Sequence, residues 1–192
     1  LPLLPGTGDE GLHRLYDGLI SHILEDFKPE LIINSAGQDN HFSDPLASMA
    51  VTAQGYARLA DKLQADIAVL EGGYSVESAL PYVNTGIILA MAGMDYSKVL
   101  EPDMSQLRKQ DPRCNKRVDQ LIEQVGDLYF NRERTKKELL QKCNGVWQRK
   151  KHIYYDEEGI REQQLETVRY CSICDGYFTI QTAAEDTRFG DQ

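Results

Sequence analysis

Three short segments hold the side chains that could do chemistry. The first is Ser35-Ala36-Gly37-Gln38-Asp39-Asn40-His41-Phe42-Ser43-Asp44-Pro45-Leu46, which sets two carboxylates and an imidazole beside glycine. Asp oxygen and His nitrogen both suit Zn²⁺, so the loop could ligate a metal. The same composition also makes an ordinary strand-to-helix turn, in which Asp39 or Asp44 caps backbone N–H groups. The second segment is Glu71-Gly72-Gly73-Tyr74. Its glycines let the backbone approach a ligand, and a Tyr O–H can donate to a developing oxyanion. A glycine turn with Tyr74 packing its ring is the alternative. The third is Tyr170-Cys171-Ser172-Ile173-Cys174-Asp175-Gly176-Tyr177, the C-x-x-C-x-G pattern of a metal-binding knuckle on a hairpin. Cys171 and Cys174 supply two thiolates where a structural zinc site wants four ligands, and Cys114, Cys143 or His152 could complete the set. A redox-active or merely packed cysteine pair is the other reading.

The elements that must position these segments follow from periodicity. Leu12, Leu15, Tyr16, Leu19, Ile20, Ile23, Leu24 and Phe27 fall at three-to-four spacing and predict an amphipathic helix over 9–27, closed by Pro29. Leu31-Ile32-Ile33 reads as a short, buried strand of a parallel sheet. Thr52 is placed to cap a helix running to about Leu63, and Ile67–Leu70 reads as a second buried strand. Ser75 opens a further helix towards Met91, expected to be interrupted near Pro81. The alternation predicts an α/β fold with a parallel sheet, and both polar loops then follow strand C-termini, where open α/β sheets build their sites. Residues 95–117 read as a Pro-punctuated connector, and Val118, Leu121, Ile122, Val125, Leu128 and Tyr129 mark an amphipathic helix to about Lys142. Residues 151–182 read as short strands with turns at Asp156-Glu157-Glu158-Gly159 and Cys174-Asp175-Gly176.

In this order and at these intervals, LPLLPGTGDEG, FKPELIINSAGQDNHFSDPLASMAVTAQGYARLADKL and VLEGGYS resemble the zinc-dependent deacetylases. That family comprises histone deacetylases, acetylpolyamine amidohydrolases and bacterial acetoin-utilisation proteins. The resemblance covers residues 1–93. It implies that residues 1–94 are the C-terminal portion of a three-layer, parallel-sheet domain of the arginase/deacetylase type, with 95–192 a small α+β extension. It implies Asp39 as a ligand of a catalytic Zn²⁺ and Tyr74 as the residue that polarises the acetyl carbonyl and stabilises the tetrahedral oxyanion. Leu46 then corresponds to a wall of the acyl-lysine tunnel, and Gly72 and Gly73 to backbone lining beside Tyr74. The implied activity is hydrolysis of acetyl-lysine or a related acetylated amine, polyamines included, with a histidine pair as general base.

The family also needs an Asp-x-His metal pair and a His-His segment before the PGTGD stretch. The chain has only His13, His22, His41 and His152, with no adjacent pair. One carboxylate cannot make a catalytic zinc site, which takes three protein ligands. This chain alone is therefore expected to be inactive and to need an N-terminal portion of the same domain, from the same precursor or as a separate chain. The first residue, Leu1 rather than Met, also suggests a missing upstream segment. A non-catalytic, deacetylase-like regulatory or scaffold protein with a zinc-knuckle interaction tail is the competing reading.

Composition narrows the partners. A net charge of −9 argues against broad nucleic-acid binding, which requires excess Lys and Arg. The acidity belongs to residues 1–100, with 13 acidic and 5 basic side chains. Four cysteines without a signal-peptide pattern point to a reducing compartment, cytoplasmic or nuclear. No apolar run is long enough to span a bilayer. The mixed-charge helix from 118 to 142 reads first as a solvated face and less often as an oligomer seam; the expected assembly is an oligomer.

Overall fold

The structure, a computed structural model, describes residues 1–102, 104–107, 109–174 and 176–188. It divides into two compact units, Leu1–Tyr129 and Phe130–Gln192. The expected boundary after residue 94 marks where the motif resemblance fades. The compact boundary lies further on because the helix at 112–130 packs onto the first unit.

In that unit the predicted first helix forms as α1 (Asp9–Leu15), a π turn (Tyr16–Ile20) and α2 (Ser21–Phe27), running on without a break. Lys28 stops it in the left-handed conformation, φ +49°, with its N–H bonded to the Leu24 carbonyl. β1 (Ile33–Ala36) and β2 (Ile67–Leu70) pair in parallel, Ile33 opposite Ile67 and Ala36 opposite Leu70. Between them α3 (Ala53–Leu63) starts at Thr52, whose Oγ1 accepts the Gly55 N–H at 3.0 Å. This is the cap the sequence predicts. α4 (Leu80–Met91) differs from expectation: Pro81 stands in its first turn and opens the helix rather than interrupting one, since a missing N–H costs nothing there. The segment from Ser75 to Ala79 is a turn, with both Ala79 and Leu80 N–H bonded to the Ser75 carbonyl.

Small residues let α3 and α4 touch. Ala53, Ala57, Ala60 and Ala90 are buried, and a Cβ on Gly86 would lie 3.1 Å from that of Ala57. A second cluster forms where α5 (Pro112–Phe130) lays Val118 against Leu15 and Leu19, all three nearly inaccessible. Burying each such side chain contributes about 1.5–3 kcal/mol, so α5 is an integral layer of this unit.

The strands do not match the buried reading. β1 begins at Ile33, later than the expected Leu31-Ile32-Ile33 run; Leu31, just before it, is 54% exposed, Ile33 56% and Leu70 68%. Their sequence is that of a sheet covered on both faces and flanked by further strands. The described residues of this unit supply only two strands and helices, so these apolar positions face solvent.

The second unit runs from α6 (Arg132–Cys143) into three antiparallel strands in the order β3-β4-β5. These are β3 (Val146–Tyr155), β4 (Ile160–Arg169) and β5 (Tyr177–Asp186), longer than the short strands expected. The helix predicted from 118 to 142 is therefore two helices, parted at Asn131. Glu166, buried on β4, holds Arg149 at 2.6 Å and Lys151 at 2.5 Å from β3, which fixes the register of that pair. The turn at 156–159 forms as predicted, whereas Asp175 of the other predicted turn lies outside the described residues.

Candidate functional site

Parallel pairing puts the C-terminal ends of β1 and β2 side by side, and the two polar loops leave from there together. The Gln38 N–H donates to the Gly72 carbonyl and so ties one loop to the other. Gly73 adopts φ +152°, and a Cβ there would meet that of Gln38 at 2.9 Å. Only glycine fits where the loops cross. Gln38 is itself fixed by a hydrogen bond from its amide to Asn84 of α4.

The crossing gathers the residues that the sequence singled out. A Cβ on Gly72 would lie 3.1 Å from Asp39 Oδ2 and 3.6 Å from Tyr74 Oη, so both polar groups converge on the bare face of that glycine. Tyr74 is half exposed. Among the described residues neither the Asp39 carboxylate nor the Tyr74 hydroxyl makes a hydrogen bond. Leu46 is held in a tight turn by its N–H on Asp44 Oδ1 at 2.9 Å, with a largely exposed side chain.

Asp44 differs from Asp39 in every respect. It is buried, and its Oδ2 accepts the Tyr74 N–H at 2.7 Å while Oδ1 accepts from Leu46. One carboxylate thus fixes the backbone of Tyr74 and of Leu46. This is a turn role of the kind the sequence allowed, extended across 30 residues to the second loop.

His41 is inaccessible. Its Nδ1 lies 2.9 Å from Ser43 Oγ, which lies 2.8 Å from Ser75 Oγ, next to Tyr74. Its Nε2 faces Glu101 Oε1 at 3.5 Å, without the alignment of a hydrogen bond. Glu101 also accepts the Ala53 N–H at 2.9 Å. Burial pushes the Glu101 carboxyl up, but His41 and the Ala53 N–H outweigh it and hold the pKa below 4.5. With both nitrogens committed inward, His41 is turned away from Asp39 and is no partner for it at a metal.

Four contributors had no assigned role in the sequence reading. Glu101 sits in the presumed connector, where nothing marks it as buried. Asp9, in PGTGD, accepts the Thr52 N–H at 2.8 Å and the Thr52 hydroxyl at 2.6 Å, joining the start of α1 to the start of α3. Gln110 accepts the Gly8 N–H at 2.7 Å. Tyr56 points into the unit near Asn40; burial first, then the Asp39 charge, raise its phenol above the usual 10. Tyr56 also lines a cavity of about 360 Å³ with Asn34, Ser35, Leu12 and Ile87, behind the loop and away from Tyr74.

Among the described residues no three His, Cys, Asp or Glu side chains are grouped to hold a metal. The free Asp39 carboxylate fits one ligand of such an ion. Among the described residues the donor set does not complete a site.

Residues 1–91 match the family described as histone deacetylase domain. These residues, a little under half of the chain, are similar to that family. A protein from Archaeoglobus fulgidus described as "Probable deacetylase" is 53% identical over 112 residues, covering 54% of this chain and 31% of that relative. A histone deacetylase-like amidohydrolase from Pseudomonas aeruginosa is 28% identical over 141 residues, covering 66% of this chain and 37% of its own. That extent exceeds what residues 1–93 can supply, so the likeness continues past the motifs and into the remainder of the first unit. The solved HDA15 HD domain is 29% identical, with a TM-score of 0.46, over 50% of this chain and 28% of that one. The chain thus spans about a third of the length of these relatives.

Proposed function

We propose that this chain is the C-terminal part of a zinc-dependent amidohydrolase that removes acetyl groups from acetyl-lysine or a related acetylated amine. The observation that carries the reading is the convergence of an unpaired carboxylate, Asp39, and an unpaired phenol, Tyr74, over Gly72 at the ends of two parallel strands. Similarity of residues 1–91 to the histone deacetylase family supports it. In this reading residues 1–94 carry the deacetylase motifs, and 95–192 follow as an extension whose first part, through α5, packs with them.

In this reading Asp39 would hold the zinc, which when bound supplies Lewis acidity towards the acyl carbonyl. Tyr74 Oη donates to the carbonyl oxygen as negative charge develops on it. Asp44 keeps the Tyr74 backbone in place, so the phenol loses little freedom on reaching that oxygen. Gly72 and Gly73 leave room for the acyl group, and Leu46 lines its entry. The remaining metal ligands and the base that takes the water proton come from an N-terminal portion of the domain. That portion would also cover the exposed apolar positions Ile33, Val69 and Leu70.

The test is hydrolysis of an acetyl-lysine peptide by the full-length protein with zinc, comparing the parent with Tyr74→Phe. The kcat should fall on the order of 10²-fold or more, as for loss of an oxyanion donor, with KM little changed. An unchanged kcat would remove Tyr74 from the reaction and with it this reading of the site.

A further inference from the structure

The second unit contains a pattern repeated twice. Cys143-Asn144-Gly145 leads into β3, and Cys174-Asp175-Gly176 leads into β5. Both glycines take the left-handed conformation, Gly145 at φ +76° and Gly176 at φ +78°. Both lie against the same step at the end of β4. A Cβ on Gly145 would stand 2.9 Å from the Tyr170 carbonyl oxygen, and one on Gly176 would collide with the Arg169 carbonyl. The Tyr170 N–H donates to the Gly145 carbonyl at 2.7 Å, one rung beyond the Val146–Arg169 pair. Cys143, Cys171 and Cys174 therefore leave the sheet at one end: before β3, after β4 and before β5.

The hairpin is already shaped to hold thiolates. Cys171 Sγ accepts the Ile173 N–H at 3.4 Å, and Cys174 Sγ accepts the Gly176 N–H at 3.4 Å. Such N–H···S bonds stabilise negative sulfur and orient it towards an ion. The turn stands at the surface, with Ile173 94% exposed and no packing role.

We propose that Cys143, Cys171 and Cys174 bind one Zn²⁺, with the fourth tetrahedral position left to water or to a group from outside the chain. The repeat explains why the site has three thiolates. The position equivalent to Cys171 in the first turn is Leu140, whose Cδ2 lies 3.3 Å from where a Gly145 Cβ would be. The other candidates fall away. Cys114 is buried in the first unit against the Pro5 carbonyl. His152 lies six residues into β3, about 20 Å along the strand from the Cys143 end. The three sulfurs are not yet gathered to ligating distance among the described residues. Closing the site takes a swing of Cys143, the last residue of α6, about Asn144 and Gly145. Soft thiolates favour Zn²⁺ over harder divalent ions.

The experiment is titration of the whole reduced chain with Zn²⁺, and with Co²⁺ as a spectroscopic probe, in parent, Cys143→Ser, Cys171→Ser, Cys174→Ser, Cys114→Ser and Leu140→Cys forms. Expected are one ion per chain and thiolate-to-cobalt charge-transfer bands. Each of the first three serine variants should lose on the order of 100-fold or more in affinity, beyond the effect of a lost supporting hydrogen bond. Cys114→Ser should match the parent, and Leu140→Cys should bind more tightly by completing a four-thiolate set. An Asp39→Ala control should leave this binding intact, so the result is independent of the deacetylase reading. No ion bound by the reduced parent chain, or a Cys143→Ser affinity equal to the parent's, would overturn the proposal.

Discussion

Gly55→Ala tests how Asp9 joins the two helices. A glycine-to-alanine change inside a helix ordinarily stabilises it by about 1 kcal/mol, because glycine carries the greater backbone entropy in the unfolded chain. Gly55 sits in the first turn of α3, and a Cβ there would fall on the Asp9 carboxylate, which must leave. Asp9 then gives up the Thr52 N–H, held at 2.8 Å, and the Thr52 hydroxyl, held at 2.6 Å. Hydrogen bonds to a charged group contribute about 1.5–3 kcal/mol each. Losing both costs about 3–6 kcal/mol, and the propensity gain offsets only about 1 of it. Gly55→Ala should therefore destabilise this chain by about 2–5 kcal/mol, read from the urea midpoint at unchanged m-value. In an Asp9→Ala background the obstruction is gone. The same change should then be neutral or stabilising by up to about 1 kcal/mol. The sign reversal across the double-mutant cycle is the decisive feature. A Gly55→Ala chain that is more stable than the parent would refute the geometry.

Asp44→Ala should strip two backbone N–H donors of their acceptor and loosen Tyr74; in the full-length protein kcat should drop about 10-fold or more with KM less affected, and equal kinetics would show that Asp44 does not position Tyr74. Acidification should weaken the fold in two windows. The pKa of His13 is lowered in the fold, first by burial and then by Lys62 and Arg58, so stability present above 6.5 should decline as the pH falls from there through the folded value. Glu101 is likewise depressed, so its contribution, present above 4.5, should be lost as the pH falls through its folded pKa. His13→Phe should flatten the upper window and Glu101→Gln the lower one in urea titrations at successive pH values; parent-like pH profiles in both variants would contradict these assignments. Val118→Ala should cost about 1–3 kcal/mol at the α5 seam, and a change within about 0.5 kcal/mol would mean that α5 is not a layer of the first unit.

What the sequence made legible is what repeats locally. The first helix announces itself by spacing, Thr52 by the cap rule, and the parallel pair by short apolar runs alternating with helices. The same runs misled on burial, because β-branched strands encode the sheet they were shaped for, not the two strands that the described residues provide. Pro81 misled as well, since a proline reads as a breaker until the first residue of the helix is known. The long strands of the second unit were hidden by their charge: a run of five polar residues, Gln148-Arg149-Lys150-Lys151-His152, separates the apolar ends of β3, so the period-two pattern is weak.

The site shows the limit more sharply, because three ionisable groups within six residues have three different fates. Asp39, His41 and Asp44 are equally polar in sequence, and no spacing rule separates them. What separates them is what lies opposite in the folded chain. Asp44 meets the Tyr74 amide, His41 meets a carboxylate 60 residues later, and Asp39 meets the bare faces of Gly37 and Gly72. The group left without a partner is the one free to bind something from outside. A buried polar group left unpaired is costly, and Asp44 and His41 are paired; Asp39 keeps its carboxylate at the loop surface, where the cost is small and the oxygens remain available. The proposed role of Asp39 accords with this arrangement: the fold spends two of the three groups on holding Tyr74 and its neighbours still, and leaves the third unspent.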